Sequence, residues 1–181
     1  MKSYKTKLPE VIILEPDVFE DERGFFLESY NQEVFNNLLG RKVKFVQDNH
    51  SKSEKGVIRG LHYQRKNPQG KLVRVTSGAI FDVVVDIRKS SSNFRKWIGV
   101  KLTHKNKKQI WFPRNFAHGF YVLEENTEVL YKTTDFYNPK EERTIRWDDQ
   151  DISINWPIDG PPKLSPKDKE GFWLKDADLP E

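Results

Sequence analysis

Short runs of Val, Ile, Phe and Tyr alternate with turn residues along most of the chain, at the fairly regular spacing of a β-sandwich or barrel. The pattern predicts strands over residues 11–14, 24–29, 44–49, 56–64, 71–77, 79–88, 97–103, 108–112, 118–123 and 127–133. Ser77-Gly78 reads as a tight hairpin turn between two of these strands, and Glu124-Glu125-Asn126 as another. One helix is predicted early. Asn31 caps it, Gln32 and Glu33 fill its first turn, Phe35, Leu38 and Leu39 share an apolar face, and Gly40 ends it. From Pro157 onward the chain turns proline-rich and charged, which predicts irregular coil with a short helix at 166–170. No repeat and no linker interrupts the chain, so the expectation is one domain over residues 1–181.

Composition narrows the picture. A chain of 181 residues is long enough to bury a real core. It contains no cysteine, which excludes disulfides, thiolate nucleophiles and Cys-ligated zinc, and is compatible with a reducing cytoplasm. The N-terminus is basic, but the apolar run after it, 11–14, is too short for a signal peptide. No run approaches the ~20 apolar residues of a membrane span. The expectation is a cytoplasmic protein with no membrane partner. The formal net charge of +4 is dispersed, apart from the cluster at residues 105–108. No nucleic-acid partner is expected, and a mild positive balance suits an anionic small molecule. The 13% aromatic share suits β-structure and a ligand pocket.

The chain has four histidines, none in a HExxH pattern. His62 lies in Arg59-Gly60-Leu61-His62-Tyr63-Gln64. Strict alternation puts Ile58, Gly60 and His62 on one face and Arg59 and Leu61 on the other. Gly60 is suited to a bulge that re-aims its neighbours. His118 follows Pro113 and stands at the start of a strand, near a barrel mouth. His50 and His104 read as structural or surface residues. In the strand around Val84, Asp82 and Asp86 alternate with Phe81, Val83, Val85 and Ile87. That is either ordinary outward polarity or a wet interior with Asp82 in the pocket. Lys71 opens a strand and is either solvent-exposed or reaching over the barrel mouth. Tyr131 shares a face with Val129 and Thr133, as core or with its hydroxyl in a pocket.

Taken together, these segments resemble one family. Arg59-Gly60-Leu61-His62-Tyr63-Gln64 followed by Gln69-Gly70-Lys71-Leu72-Val73-Arg74 is similar to the signature of dTDP-4-dehydrorhamnose 3,5-epimerases. So are the stretch from Phe81 to Arg88, Phe112-Pro113 with Phe116-Ala117-His118-Gly119-Phe120, and Leu130-Tyr131-Lys132. The likeness runs from Asp21 to Asp168. It implies an all-β fold, a cupin-type double-stranded β-helix or jelly roll with short peripheral helices. It also implies a homodimer with N-terminal strands exchanged between subunits. Metal-binding cupins carry a second histidine two residues after the first. Here Gln64 stands there, so no metal and no cofactor is expected.

The resemblance implies roles residue by residue. His62 matches the general base and Asp168 its carboxylate partner. Tyr131 matches the acid on the opposite face of the sugar, and Lys71 the group near the ketone oxygen. His118, Asp82 and Arg59 match other residues of that pocket. Arg23, Phe26, Glu28, Gln47, Asn49 and Tyr137 match positions that hold the nucleotide, some from the neighbouring subunit, and Ser51 matches one near the diphosphate. The implied substrate is a dTDP-4-keto-6-deoxy sugar. Its C4 ketone acidifies C3–H and C5–H, so inversion proceeds through an enolate and moves no hydride. The chain accordingly has no GxGxxG fingerprint. The alternatives are a relative that inverts only C3 or only C5, and a metal-dependent cupin enzyme.

Overall fold

The computed structural model describes residues 1–181. Thirteen strands and two short helices follow in order: β1 Lys2–Lys5, β2 Ile12–Glu15, β3 Val18–Asp21, β4 Gly24–Leu27, α1 Gln32–Leu39, β5 Gln47–Ser53, β6 Ile58–Gln64, β7 Lys71–Ser77, β8 Ala79–Asp86, β9 Trp97–Thr103, β10 Gln109–Phe112, β11 Phe116–Val122, β12 Thr127–Thr133, β13 Glu142–Thr144 and α2 Pro166–Lys169. A six-stranded sheet, β1-β2-β10-β7-β12-β5, faces a five-stranded sheet, β13-β6-β11-β8-β9, while β3 and β4 form a separate hairpin. This is the expected jelly roll. The signals for α1 act as read: the Asn31 side chain accepts from the Glu33 and Val34 amides, and Gly40 ends the helix with φ 63°.

The two turn signals need correction. Neither joins a hairpin. Strand β7 lies in the six-stranded sheet and β8 in the five-stranded one, and β11 and β12 are divided in the opposite sense. Ser77-Gly78 and 124–126 therefore carry the chain from one sheet to the other. Local turn chemistry specifies a reversal but not which strand the next one pairs with. Gly78 sits so close to Thr127 that a Cβ would lie 2.2 Å from its Oγ1, a contact only glycine permits.

Apolar side chains from both sheets fill the space between them, among them Val73, Val75, Ile80, Val84, Leu102, Ile110, Phe112, Phe116, Phe120 and Val129. Alternation along β8 sends Val83, Val85 and Ile87 to the other face. There, Ile58, Leu61, Tyr63 and Tyr121 pack against Ile145, Ile152, Trp156, Leu174 and Leu179. The irregular tail is thus a third layer and not a loose end. On the outer face of the six-stranded sheet, α1 seats Phe35 on Leu14, Leu72 and Trp111. Apolar burial of this kind is worth about 25 cal/mol per Å² removed from water.

Candidate active site

Between the sheets, at one end, the packing opens into a cavity of about 290 Å³ lined by Asn49, Ser51, Arg59, His62, Lys71, His118, Phe120, Tyr131, Tyr137, Glu142 and Lys167. Strands β6 and β11 supply His62, Arg59 and His118 on one wall. Strands β5, β7 and β12 supply Asn49, Ser51, Lys71 and Tyr131 on the other.

Placing Arg59 and His62 on the same wall departs from strict alternation. In the pairing of β6 with β11, His118 faces His62 and Phe120 faces Arg59, so β6 holds one residue more than β11 between these points. That residue is a bulge, and φ at Gly60 is 120°. Leu61 turns into the outer core while Arg59 and His62 both meet the cavity. A Cβ on Gly60 would lie 2.6 Å from Gly119 Cα, so the glycine pair also lets the two strands approach.

His62 Nε2 lies 2.6 Å from Asp168 Oδ1. The tail delivers Asp168, whose carboxylate also accepts from the Gly60 amide at 3.2 Å and the Ser165 hydroxyl at 2.6 Å. Burial pushes the Asp168 carboxyl up, but the bonds from His62 and Ser165 outweigh it and hold it below its usual value. Being ionised, Asp168 accepts a hydrogen bond from Nε2–H, which leaves Nδ1 of His62 as a free lone pair. Burial also holds the His62 pKa below its usual value, against the pull of Asp168. The ring is therefore a neutral base at neutral pH.

Lys71 and Tyr131 face it from the other sheet. The Lys71 ammonium lies 5.8 Å from the Tyr131 ring centre. Burial lowers the Lys71 pKa to about 8, opposed by the charges of Glu142 and Asp82. Burial raises Tyr131 above its usual value, so its hydroxyl keeps its proton. The Ser51 hydroxyl is buried beside the cavity with no partner.

Most residues singled out in the sequence meet here: Asn49, Ser51, Arg59, His62, Lys71, His118, Tyr131 and Tyr137 all line the cavity. Asp168 stands directly behind His62. Asp82 does not reach the cavity. It is fully buried behind His118, with its Oδ2 2.8 Å from the ring Nε2. Gln47 is one step removed, donating to Asn49 and accepting from the Tyr137 amide. Arg23, Phe26 and Glu28 lie outside this chain's own cavity. Arg23 pairs with Asp21 on the exposed β3–β4 hairpin, Phe26 is 70% exposed, and Glu28 accepts from Asn31. That hairpin forms a separate small sheet, so nothing in the chain folds it over the site.

Three lining residues were not foreseen as site residues: Phe120, Glu142 and Lys167, of which the last two are charged. Glu142 on β13 accepts from the Tyr137 hydroxyl and from Lys167, each at 2.9 Å. Burial raises its carboxyl, but those two bonds prevail and hold it below its usual value. Glu142 and Lys167 lie in charged stretches without apolar periodicity, and only the proximity of Lys167 to Asp168 pointed there. His50 and His104 are elsewhere, bonded to Glu128 and to the Gly78 carbonyl. No three His, Asp or Glu side chains converge in the way a metal site needs.

A cupin-like sandwich whose cavity gathers a neutral imidazole, a protonated phenol and an ammonium holds the groups that proton transfer at carbon requires. A model of the family described as dTDP-4-dehydrorhamnose 3,5-epimerase matches residues 5–176. The dTDP-4-dehydrorhamnose 3,5-epimerase of Shigella flexneri is 58% identical over 98% of both chains, and that of Pseudomonas aeruginosa 54% over 98% of both. A solved structure from Legionella pneumophila, described as dTDP-6-deoxy-D-glucose-3,5-epimerase in complex with dTDP-4-keto-L-rhamnose, superposes with a TM-score of 0.97. It is 47% identical, with 99% of this chain and 97% of that one covered. The chain belongs to the dTDP-4-dehydrorhamnose 3,5-epimerase family.

Proposed function

We propose that this chain inverts C3 and C5 of dTDP-4-dehydro-6-deoxy-D-glucose to give dTDP-4-dehydro-L-rhamnose, for dTDP-rhamnose biosynthesis. The observation that carries the proposal is the His62–Asp168 pair, 2.6 Å apart, facing Lys71 and Tyr131 across one cavity. His62 Nδ1 takes the proton from the carbon beside the ketone, and the bond's electron pair moves onto O4 as an enolate. Asp168 stabilises the imidazolium that forms. Lys71 holds the enolate oxygen. Tyr131 returns a proton to the opposite face of the carbon, which inverts it, and exchange with water resets both groups. Arg59 and Lys167 give the cavity the cations a diphosphate requires.

The nucleotide end is completed by a second copy of the chain. Arg23, Phe26 and Glu28 serve the partner's cavity, with the β3–β4 hairpin crossing over as the exchanged element. The exposed Phe19, Phe25 and Phe26 on this hairpin support that reading. The enzyme works as a cytoplasmic homodimer without metal or cofactor.

The test is proton NMR of dTDP-4-keto-6-deoxyglucose in D₂O with the enzyme. Deuterium at C3 and C5, with a reductase trapping the rhamno-configured product, is the expected result. Inversion at one carbon only would make the chain a mono-epimerase. No exchange at either would remove this substrate.

A further inference from the structure

The motif around the base ends in a residue the reaction does not use. Gln64 follows His62 by two positions on β6, where a metal-binding cupin carries its second histidine. Its side chain does not line the cavity and is 5% exposed. Nε2 donates to the Asn67 carbonyl at 2.8 Å and to the Phe136 carbonyl at 3.2 Å, and Oε1 accepts from the Asn138 amide at 2.8 Å. Two carbonyls can be met only by the NH₂ end of the amide and an N–H only by its oxygen, so the orientation of the group is determined.

These partners belong to two crossings between the sheets. The chain passes from the five-stranded to the six-stranded sheet between β6 and β7, and returns between β12 and β13. The return carries Tyr137 to the cavity. No backbone–backbone hydrogen bond reaches residues 135–137. Glutamine side chains hold them instead. Gln69 donates to the Asp135 carbonyl and Gln47 accepts from the Tyr137 amide, each at 2.9 Å. Gln64 takes the carbonyl before Tyr137 and the amide after it, and of the three glutamines it alone is fully buried. The Tyr137 side chain itself is half exposed, with its hydroxyl on Glu142. Leaving a buried amide or its backbone partners unmet is unfavourable, so the clamp is hard to open. Lys71, by contrast, is held by its ladder partners Phe112 and Thr133 and does not depend on Gln64.

We propose that Gln64 is a positioning residue for nucleotide recognition: its amide fixes the backbone on both sides of Tyr137 and so sets that ring at the cavity before the substrate arrives. The inference rests on the proposed epimerase function, in which Tyr137 meets the nucleotide, and extends it. Gln64 touches neither the sugar nor the reacting atoms. Its effect falls on binding, not on proton transfer.

The experiment compares the full-length chain with Gln64→Glu, Tyr137→Ala and the double variant. Gln64→Glu keeps the volume and the oxygen that faces Asn138, but sets a second oxygen against two carbonyls. KM for dTDP-4-keto-6-deoxyglucose, and Kd for dTDP by calorimetry, should each rise about tenfold, as expected when a freed side chain must be ordered on binding. The kcat should stay within about twofold. Gln64→Glu in the Tyr137→Ala background should cost nothing further, because its effect runs through that ring. An unchanged KM, or a kcat that falls as far as KM rises, overturns the inference. A full second loss in the double variant also overturns it, by making Gln64 merely structural. Should Gln64→Glu not fold, hydrogen exchange in the unaltered protein decides: the Asn138 amide, bonded to Gln64, should exchange slowly, and rapid exchange overturns the clamp. Failure of the epimerase reading is distinct, since it appears as absent deuterium exchange at C3 and C5 in the unaltered protein, whereas dTDP binding is read without turnover.

Discussion

On the five-stranded wall, His62 and His118 each have a buried carboxylate behind the ring, at 2.6 and 2.8 Å. On the six-stranded wall, Lys71 and Tyr131 have no hydrogen-bond or ion-pair partner, and the Lys71 ammonium lies 5.8 Å from the Tyr131 ring centre. Hydrogen bonds orient the groups on the first wall before any ligand arrives. On the second, desolvation tunes them, lowering Lys71 to about 8 and raising Tyr131. In the proposed reaction the base is thus fixed in advance, while the opposing pair holds its donors unspent until a substrate oxygen and carbon come between them.

Breaking the first wall should have the largest effect. His62→Ala is expected to lower kcat by about 10⁴, measured as deuterium wash-in at C3 and C5. Asp168→Asn removes the charge but keeps the volume, and should cost about 10²–10⁴. The double variant should be no slower than His62→Ala alone, because the two act as a unit. Additive losses would separate Asp168 from the base.

On the second wall, Lys71→Met should cost about 10²–10³ in kcat. Exchange and inversion should fall together, since both require the enolate. Tyr131→Phe should split them. Inversion is expected to drop by about 10², while proton loss to His62 continues and appears as wash-in without inversion. Equal loss of both signals would move Tyr131 out of the acid role.

The walls also differ in how far the sequence disclosed them. Alternating strands revealed the β-sandwich, and the run around Asp82 was recognisable as a strand with one apolar face. Periodicity failed at Gly60, because a single bulged residue reverses the face of everything beyond it. It failed again at Ser77-Gly78, where local turn chemistry does not state which sheet receives the next strand. Strands β1, β3 and β13 went unseen because they are only three or four residues long and lack an alternating apolar pattern. The all-polar β5 was predicted short of its end because its residues line a cavity and not a core. Site residues entered by family resemblance more than by pattern. Glu142 and Lys167 escaped because long-range packing alone gathers them.

The smallest expected effect, and the one that tests both walls in a single titration, is the pH dependence of kcat/KM. His62 must be neutral to accept a proton, and burial holds its pKa below the usual value near ~6.5. As pH falls, activity should persist through the range where an ordinary histidine titrates and decline only below it. Lys71 must be charged to hold the enolate oxygen, and its pKa lies at about 8. As pH rises through that value the ammonium is lost and activity should fall, approaching tenfold per pH unit well above it. The profile is thus a bell with its alkaline limb near 8, far below an ordinary lysine. Lys71→Arg, which stays charged throughout, should remove that limb and leave the acid limb in place. An alkaline limb that survives in Lys71→Arg would assign it to another group. An acid limb at the ordinary histidine value would mean that Asp168 fully offsets burial at His62, and one above it that Asp168 outweighs burial.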